Sequence, residues 1–431
     1  MLHPKMKYTY VGIDSHKDTH TAVFLNCFFE KLGELTFDNT ACKFDVFLAQ
    51  AEVYKQEGTT FIFGLEDISS FGRALTVFLL NHNHHVKHVN SYLVARERKN
   101  QTITQKTDAV DAECAARVLI SKFDTLPTAT DDEPYWLLRT LVVQRDFIMR
   151  SNVRLKSYLH SLLTQDFPQY HKFFCGLEGK TAGAFFMKYP SAGTLKGVTE
   201  QDLERFLLAH SHGTLGIERA REILQATDTN AKVYEERNMT VKSALRQYQF
   251  NIAEIADVES ALCTVYRGLN TTLTSMMGLD IISAAQILSC IGDIRKFSTP
   301  AKLARYAGIA PTTYASGKKE TQYANTRGNR ELNSHFYWLS VRLTVRHEAK
   351  RGTDEYKTIN PFFYEYMLRK MSEGKTKRQA LKCVQRRLVN IIWTMLTHNE
   401  EYINPPIVAV GTAKGEEKGG GGKAKTEKAK A

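Results

Sequence analysis

YTYVGIDSHKDTHTAVFLN at residues 8–26 decides the fold, because two runs of β-branched and aromatic residues flank a polar turn and predict a hairpin whose first strand ends near Asp14. Working outward, GELTFDN (33–39) predicts a third strand, and Phe44, Phe47, Leu48 and Ala51 fall at helical spacing within 41–56. TTFIFGLE (59–66) predicts a buried strand ending at Glu66, and FGRALTVFLLNH (71–82) a helix. HVKHVN (85–90) predicts a strand and TDAVDAECAARVLI (107–120) another helix. The predicted order is βββαβαβα, a mixed sheet with helices on both faces.

That order is shared by the RNase H-like nuclease fold. Asp14 and Glu66 stand at strand ends, while Asp108 and Asp111 lie three apart near a helix start, hence on one face, so the four acids are expected to converge. Each acid alone reads better as a turn cap, a solvent-facing residue or a first-turn acid; together, on this strand order, they suit two Mg²⁺ ions ~4 Å apart that neutralise phosphoryl oxygens. His16 and Lys17 suit a phosphate contact or a solvated turn equally. NHNHHVKH (81–88) holds four His but no nearby Cys, and is expected to be a surface loop rather than a metal site.

The chain has 431 residues and 49.0 kDa, enough for two to four domains at ~100 to 200 residues each. With 43% hydrophobic and 24% charged residues it is no disordered or collagen-like chain. No apolar run reaches the ~18 residues of a membrane span and MLHPKMKYTY lacks a secretory apolar stretch, so a cytoplasmic protein with no membrane partner is expected. Seven scattered cysteines without C-x-x-C argue against a disulfide framework or zinc knuckle and are expected to be buried thiols. The net charge is +12; six Lys against three Glu between Lys414 and Lys430 leave +9 on the body, which points to a nucleic acid.

Beyond Pro134 the pattern turns helical. Residues 135–163 predict one long helix carrying Arg139, Arg145, Arg150, Arg154 and Lys156. Residues 164–195 read as an irregular connector, and 199–275 as a helical hairpin or coiled coil that spaces or dimerises. A compact unit follows: two short helices around Gly292 and Asp293, a third over 299–309, a loop over 311–329, then helices over 330–350 and 361–398. The expected division is an α/β domain over 1–130, a helical or coiled-coil spacer over 131–275, a mostly helical domain over 276–405 and a disordered basic tail over 406–431.

TYASGKKETQYANTRGNREL (313–332) is basic and glycine-marked, with Lys318, Lys319, Arg327 and Arg330 around Ser316-Gly317 and Gly328-Asn329. Ser316 is a candidate nucleophile for phosphorus, although Ser-Gly alone is usually a turn. It needs activation, and no base in this loop supplies it.

These pieces resemble the DEDD transposases of insertion sequences, which are bridge-RNA-guided recombinases. YVGIDSHKDTH (10–20), FGLEDISSFGRAL (63–75) and KTDAVDAECAARVL (106–119) are similar to the family's RuvC-like catalytic domain, and 138–163 to the basic helix after it. Residues 278–332 resemble the second domain, with its Ser-Gly motif and a Gly-Asn-Arg block. The resemblance implies Asp14, Glu66, Asp108 and Asp111 as Mg²⁺ ligands and Ser316 as the residue that forms a phosphoserine with DNA. It implies a non-coding guide RNA whose loops pair with donor and target double-stranded DNA, with Arg145, Arg150, Arg154, Lys318, Lys319, Arg327 and Arg330 as candidate nucleic-acid contacts. A homo-oligomer, a dimer assembling to a tetramer, is expected because several strands are cut together. Where such domains often carry Gly-x-Gly, this chain has Gly278-Leu279-Asp280. Two other readings are a metal-dependent nuclease of the Holliday-junction-resolvase type and a non-catalytic RNA-binding scaffold.

Overall fold

The computed structural model describes residues 3–403 except 69, 102–104, 131–132, 317–318, 327 and 349–355. Gly317, Lys318, Arg327 and the tail over 406–431 therefore lie outside the described residues. Strands β1 (Tyr8–Ser15), β2 (Thr19–Leu25) and β3 (Lys31–Asp38) are antiparallel neighbours, and β4 (Thr60–Leu65) and β5 (His85–His88) add in parallel beyond β1. The sheet order is β3-β2-β1-β4-β5. Helices α1 (Ala41–Ala51) and α2 (Arg73–Asn81) supply the crossovers that parallel addition requires.

Period-2 alternation explains the two faces. Val11 and Ile13 bury with Phe24, Phe63 and the Phe44–Phe47 face of α1, whereas Tyr10, Val23 and Ile62 bury against α3 (Ser91–Asn100) and α4 (Asp108–Ser121). The domain is a mixed α/β layer structure consistent with an RNase H-like fold. The sequence pattern omitted α3, whose only buried residue is Val94; the Asn90 side chain starts it by accepting from the Tyr92 N–H. At Gly12, α4 lies directly on β1: a Cβ there would stand 2.1 Å from the Ala112 carbonyl oxygen and 2.3 Å from the Ala116 nitrogen.

α5 (Glu133–Asp166) and α9 (Glu235–Gly268) have 34 residues each, ~50 Å at ~1.5 Å per residue. They run antiparallel, joined by Arg145 to Glu259 at 2.6 Å, Asn251 to Asn152 at 2.9 Å and Arg237 to Asp166 at 2.7 Å. The long partner of α9 is thus α5, not a helix within 199–275. α7 (Glu200–His210) and α8 (Ile217–Gln225) are short, and they form a separate core with α6 (Lys180–Lys188), Leu159, Leu163, Val241 and Leu245. The stretch predicted as an irregular connector therefore contains α6.

The other end of this pair, Leu138, Val142, Leu262 and Tyr266, is built into the C-terminal core. That core contains α10 (Ile281–Ile291), α11 (Pro300–Tyr306), α12 (Arg330–Thr344), α13 (Pro361–Ser372) and α14 (Lys377–His398). Arg139 braces it, donating to Glu331 at 3.3 Å and to the Ser289 carbonyl at 3.4 Å. The span predicted as one helix over 361–398 breaks at Gly374, whose φ is +89°, and restarts with a capping box between Thr376 and Gln379. The predicted loop over 311–329 contains a hairpin, β6 (Thr312–Ser316) with β7 (Lys319–Tyr323), and a short pair β8 (Arg346–Glu348) with β9 (Tyr356–Thr358) follows α12. Cys114 and Cys290 are buried, but Cys42 and Cys175 are exposed and the other three lie between, so most of the thiols are not in the core as expected. Among the described residues no helix is long and apolar enough to cross a membrane.

Candidate active site

Ile13 pairs with Leu65 in the parallel β1–β4 ladder, so Asp14 and Glu66 follow at the same sheet edge. α4 begins at Asp108, its Thr107 hydroxyl accepting from the Val110 N–H at 3.3 Å. Because Gly12 lets α4 close onto β1, the first turn of α4 reaches that edge. The His16 Nε2 lies 3.2 Å from the Asp14 Oδ2 and 3.2 Å from the Asp108 Oδ1, bridging strand and helix. Asn39 holds the turn carrying it, donating to the Lys17 and Phe71 carbonyls at 3.1 Å each. Asp111, with a side chain only 11% exposed, is ion-paired with Arg98 of α3. Behind β4, the His88 Nε2 donates to the Glu66 carbonyl at 3.1 Å.

The four acids share one electrostatic environment. Burial raises the Asp14 carboxyl above the usual carboxylate range; Asp108 and Asp111 raise it further, while His16 opposes them. Burial, then Asp14 and Asp111, raise Glu66. Against the burial that lowers it, Asp14 and Asp108 raise the His16 imidazole. For Asp14 and Glu66, then, burial first and the neighbouring carboxylates second disfavour the charged form. Asp14, His16 and Asp108 offer ligand atoms within 4.8 Å of one another, and a set dominated by carboxylate oxygens fits a hard divalent cation.

Ser316 ends β6, in register with Lys319, and so belongs to the hairpin rooted in the C-terminal core. The roots are tight. Gly308, at φ +66°, packs against Gly328, where a Cβ would meet the Gly308 nitrogen at 2.2 Å. Asn325 donates to the Arg305 carbonyl at 3.0 Å and Asn333 to the Ala307 carbonyl at 2.7 Å. Of the candidate basic contacts, Arg150, Arg154 and Arg330 line one cleft between α5 and α12 with Phe147 and Ser334. Arg145 does not join them, since it is committed to Glu259 within the α5–α9 seam. Gly278-Leu279-Asp280 forms a helix start: Asp280 accepts from the Ser283 N–H at 2.7 Å and pairs with Arg342 at 2.9 Å.

Sequence reasoning left His16 open and missed Arg98 and His88. The spacing of His16 two residues beyond Asp14 was the available signal; Arg98 had none, because α3 is mostly polar and buries only Val94. The stretch holding His88 is half strand rather than loop, with His88 turned toward the Glu66 backbone.

Residues 11–168 match the family model of the DEDD transposase of IS110, described as "Transposase", and residues 270–357 match "Transposase IS116/IS110/IS902 family". An uncharacterized 44.8 kDa protein of insertion element IS116 from Streptomyces clavuligerus is 25% identical over 407 residues, covering 93% of this chain and 97% of the relative. A pilin gene-inverting protein of Moraxella lacunata is 22% identical over 400 residues, 92% of this chain and 98% of its own length. The transposase of insertion sequence element IS1111A from Coxiella burnetii is 27% identical over 129 residues, 30% of this chain and 33% of the relative. With both matched segments falling on the acid-bearing sheet and the serine-bearing core, and with relatives similar along nearly the whole length, the chain belongs to the DEDD-type insertion-sequence transposases, enzymes that act on DNA.

Proposed function

We propose that the chain is an RNA-guided recombinase that moves an insertion sequence by cutting and rejoining donor and target DNA through a phosphoserine at Ser316. The observation that carries this is the pairing, in one chain, of an acid cluster at a sheet edge with a serine on a glycine-rooted hairpin. Family membership implies a divalent metal; Mg²⁺, as two ions, is our choice, held by Asp14, Glu66, Asp108 and Asp111. When bound, it supplies neutralisation of the phosphoryl oxygens. The Ser316 oxygen attacks phosphorus, a P–O bond to serine forms and the bond to one sugar oxygen breaks. The freed sugar hydroxyl of another strand then reverses the exchange, so phosphodiester bonds are conserved without an external energy source. The guide RNA supplies sequence by base pairing, and Arg150, Arg154 and Arg330 contact backbone. A homo-oligomer, dimer to tetramer, holds the strands together. A gene inversion, which the Moraxella relative is named for, is another outcome of the same exchange.

The test is to incubate the protein with its co-purifying RNA, labelled DNA and Mg²⁺ and to resolve denatured products. A covalent protein–DNA species is expected from wild type and is lost in Ser316→Ala. Asp14→Asn and Glu66→Gln lose cleavage while retaining RNA binding. Cleavage without a covalent species favours the resolvase-type nuclease, and RNA binding without cleavage the scaffold.

A further inference from the structure

The C-terminal core carries a charged feature that the acids, the serine and the α5–α12 cleft do not use. Between α13, α14 and the segment Ile309–Pro311 runs an open groove of about 970 Å³. Lys370, Lys375, Lys382, Arg386 and Arg387 line it, with no carboxylate among its described lining residues. Glu373 pairs with Lys370 at 2.8 Å and with Lys375 at 3.5 Å. The other three cations have no carboxylate partner among the described residues, and two of them are held by uncharged groups. Arg386 donates to the Pro300 carbonyl at 3.2 Å, and the Arg387 guanidinium lies 4.7 Å from the Phe362 ring centre and 5.2 Å from that of Tyr366. These contacts fix the guanidinium groups without neutralising them. Burial, then Arg378, pushes the Lys382 ammonium below its ordinary value, which a bound anion would offset.

The cations are spread over three segments rather than gathered in a nest: Lys370 is on α13, Lys375 lies between the helices, and Lys382, Arg386 and Arg387 follow α14 over ~8 Å at ~1.5 Å per residue. An extended polyanion fits that spread better than a single phosphate. The groove wall at Pro311 continues directly into β6, which ends at Ser316, ~17 Å away at ~3.3 Å per residue and at most about five nucleotides at the stacked rise of ~3.4 Å. Tyr314 and Tyr323 stand on the hairpin 60% and 56% exposed, their rings edge to face with centres 5.5 Å apart. Exposed aromatic faces beside a basic track suit stacking by unpaired bases.

We propose that the α13–α14 groove holds the phosphate backbone of the DNA strand that Ser316 cuts, within about five nucleotides of the cut, with Tyr314 and Tyr323 beside the unpaired bases between. This placement rests on the reading of Ser316 as the nucleophile. Cys383 lines the groove and reports on it directly. In the full-length wild type loaded with its co-purifying RNA, adding a DNA duplex that carries the element end is expected to slow alkylation of Cys383 several-fold relative to exposed Cys42, read by mass spectrometry of one digest. In fluorescence anisotropy, the combined variant Lys382→Gln, Arg386→Gln, Arg387→Gln is expected to weaken DNA binding and to lower the slope of log K against log salt by roughly two to three, at ~0.9 per phosphate. Unchanged Cys383 alkylation in DNA-bound wild type overturns the proposal. So does equal protection by inorganic phosphate alone, which makes this a small-anion site, or protection by RNA but not DNA, which makes it an RNA surface. Absence of a covalent species with Cys383 still protected by DNA removes Ser316 as nucleophile and keeps the groove, whereas RNA-loaded wild type that binds no DNA removes both.

Discussion

At Gly12 one absent methyl group sets the distance between β1 and α4, and with it the meeting of Asp14 and Asp108 at His16. The atoms a Cβ would strike belong to the α4 backbone, which cannot rotate aside as a side chain can. Gly12→Ala is therefore expected to destabilise the fold by about 1–3 kcal/mol in urea unfolding, as overpacking does. It should also remove DNA cleavage, by lifting the first turn of α4 from the sheet edge. Wild-type stability with wild-type cleavage would show that the helix approaches less closely. The four acids were legible because each stands where secondary structure ends, at strand termini or in a first helical turn. Gly12 was not singled out, since a glycine inside a strand pattern does not say which element presses on it. Arg98, whose partner Asp111 it holds across two helices, is set by packing alone.

Elements that the pattern missed or misplaced share a cause: their stability comes from caps and partners rather than periodicity. α3 depends on Asn90, the restart of α14 on Thr376 and Gln379, and the β6–β7 hairpin on the Gly308–Gly328 contact. α10, which the pattern did place, also depends on a cap, Asp280. The Asp280 carboxyl is held below the usual carboxylate range: burial raises it, but the Ser283 N–H and Arg342 outweigh that. A depressed folded-state value gives stability that is present above the unfolded pKa of ~3.9 and is lost as pH falls through the folded value. Asp280→Ala is thus expected to cost ~1 kcal/mol at neutral pH, with the gap to wild type narrowing below pH ~4 in parallel urea melts. On α5 the arginines divide by face. Arg145→Ala removes the Glu259 pair and should lower Tm while leaving the salt dependence of RNA binding unchanged. Arg150→Ala with Arg154→Ala should lower the magnitude of that slope by about one to two with Tm unchanged, and the opposite result would place the RNA elsewhere.

For the whole molecule, the proposed role of Ser316 raises the question of how a serine in the C-terminal core reaches acids at the edge of the N-terminal sheet. We expect it to use those of another subunit, so that each cutting site contains Ser316 of one chain and Asp14, Glu66, Asp108 and Asp111 of another. Mixing inactive Ser316→Ala with inactive Asp14→Asn protein should then restore part of the cleavage. A mixture as inactive as its parents, with mixed oligomers visible by gel filtration, would show that the serine works in cis. The α5–α9 pair has its own bearing on such assemblies. Leu138 and Val142 leave the C-terminal core where Leu262 and Tyr266 return to it, so everything between is an excursion that begins and ends in one place. An outrigger of that kind can change its reach by whole helical turns, or exchange the helices at its tip, without re-threading either of the parts it leaves behind.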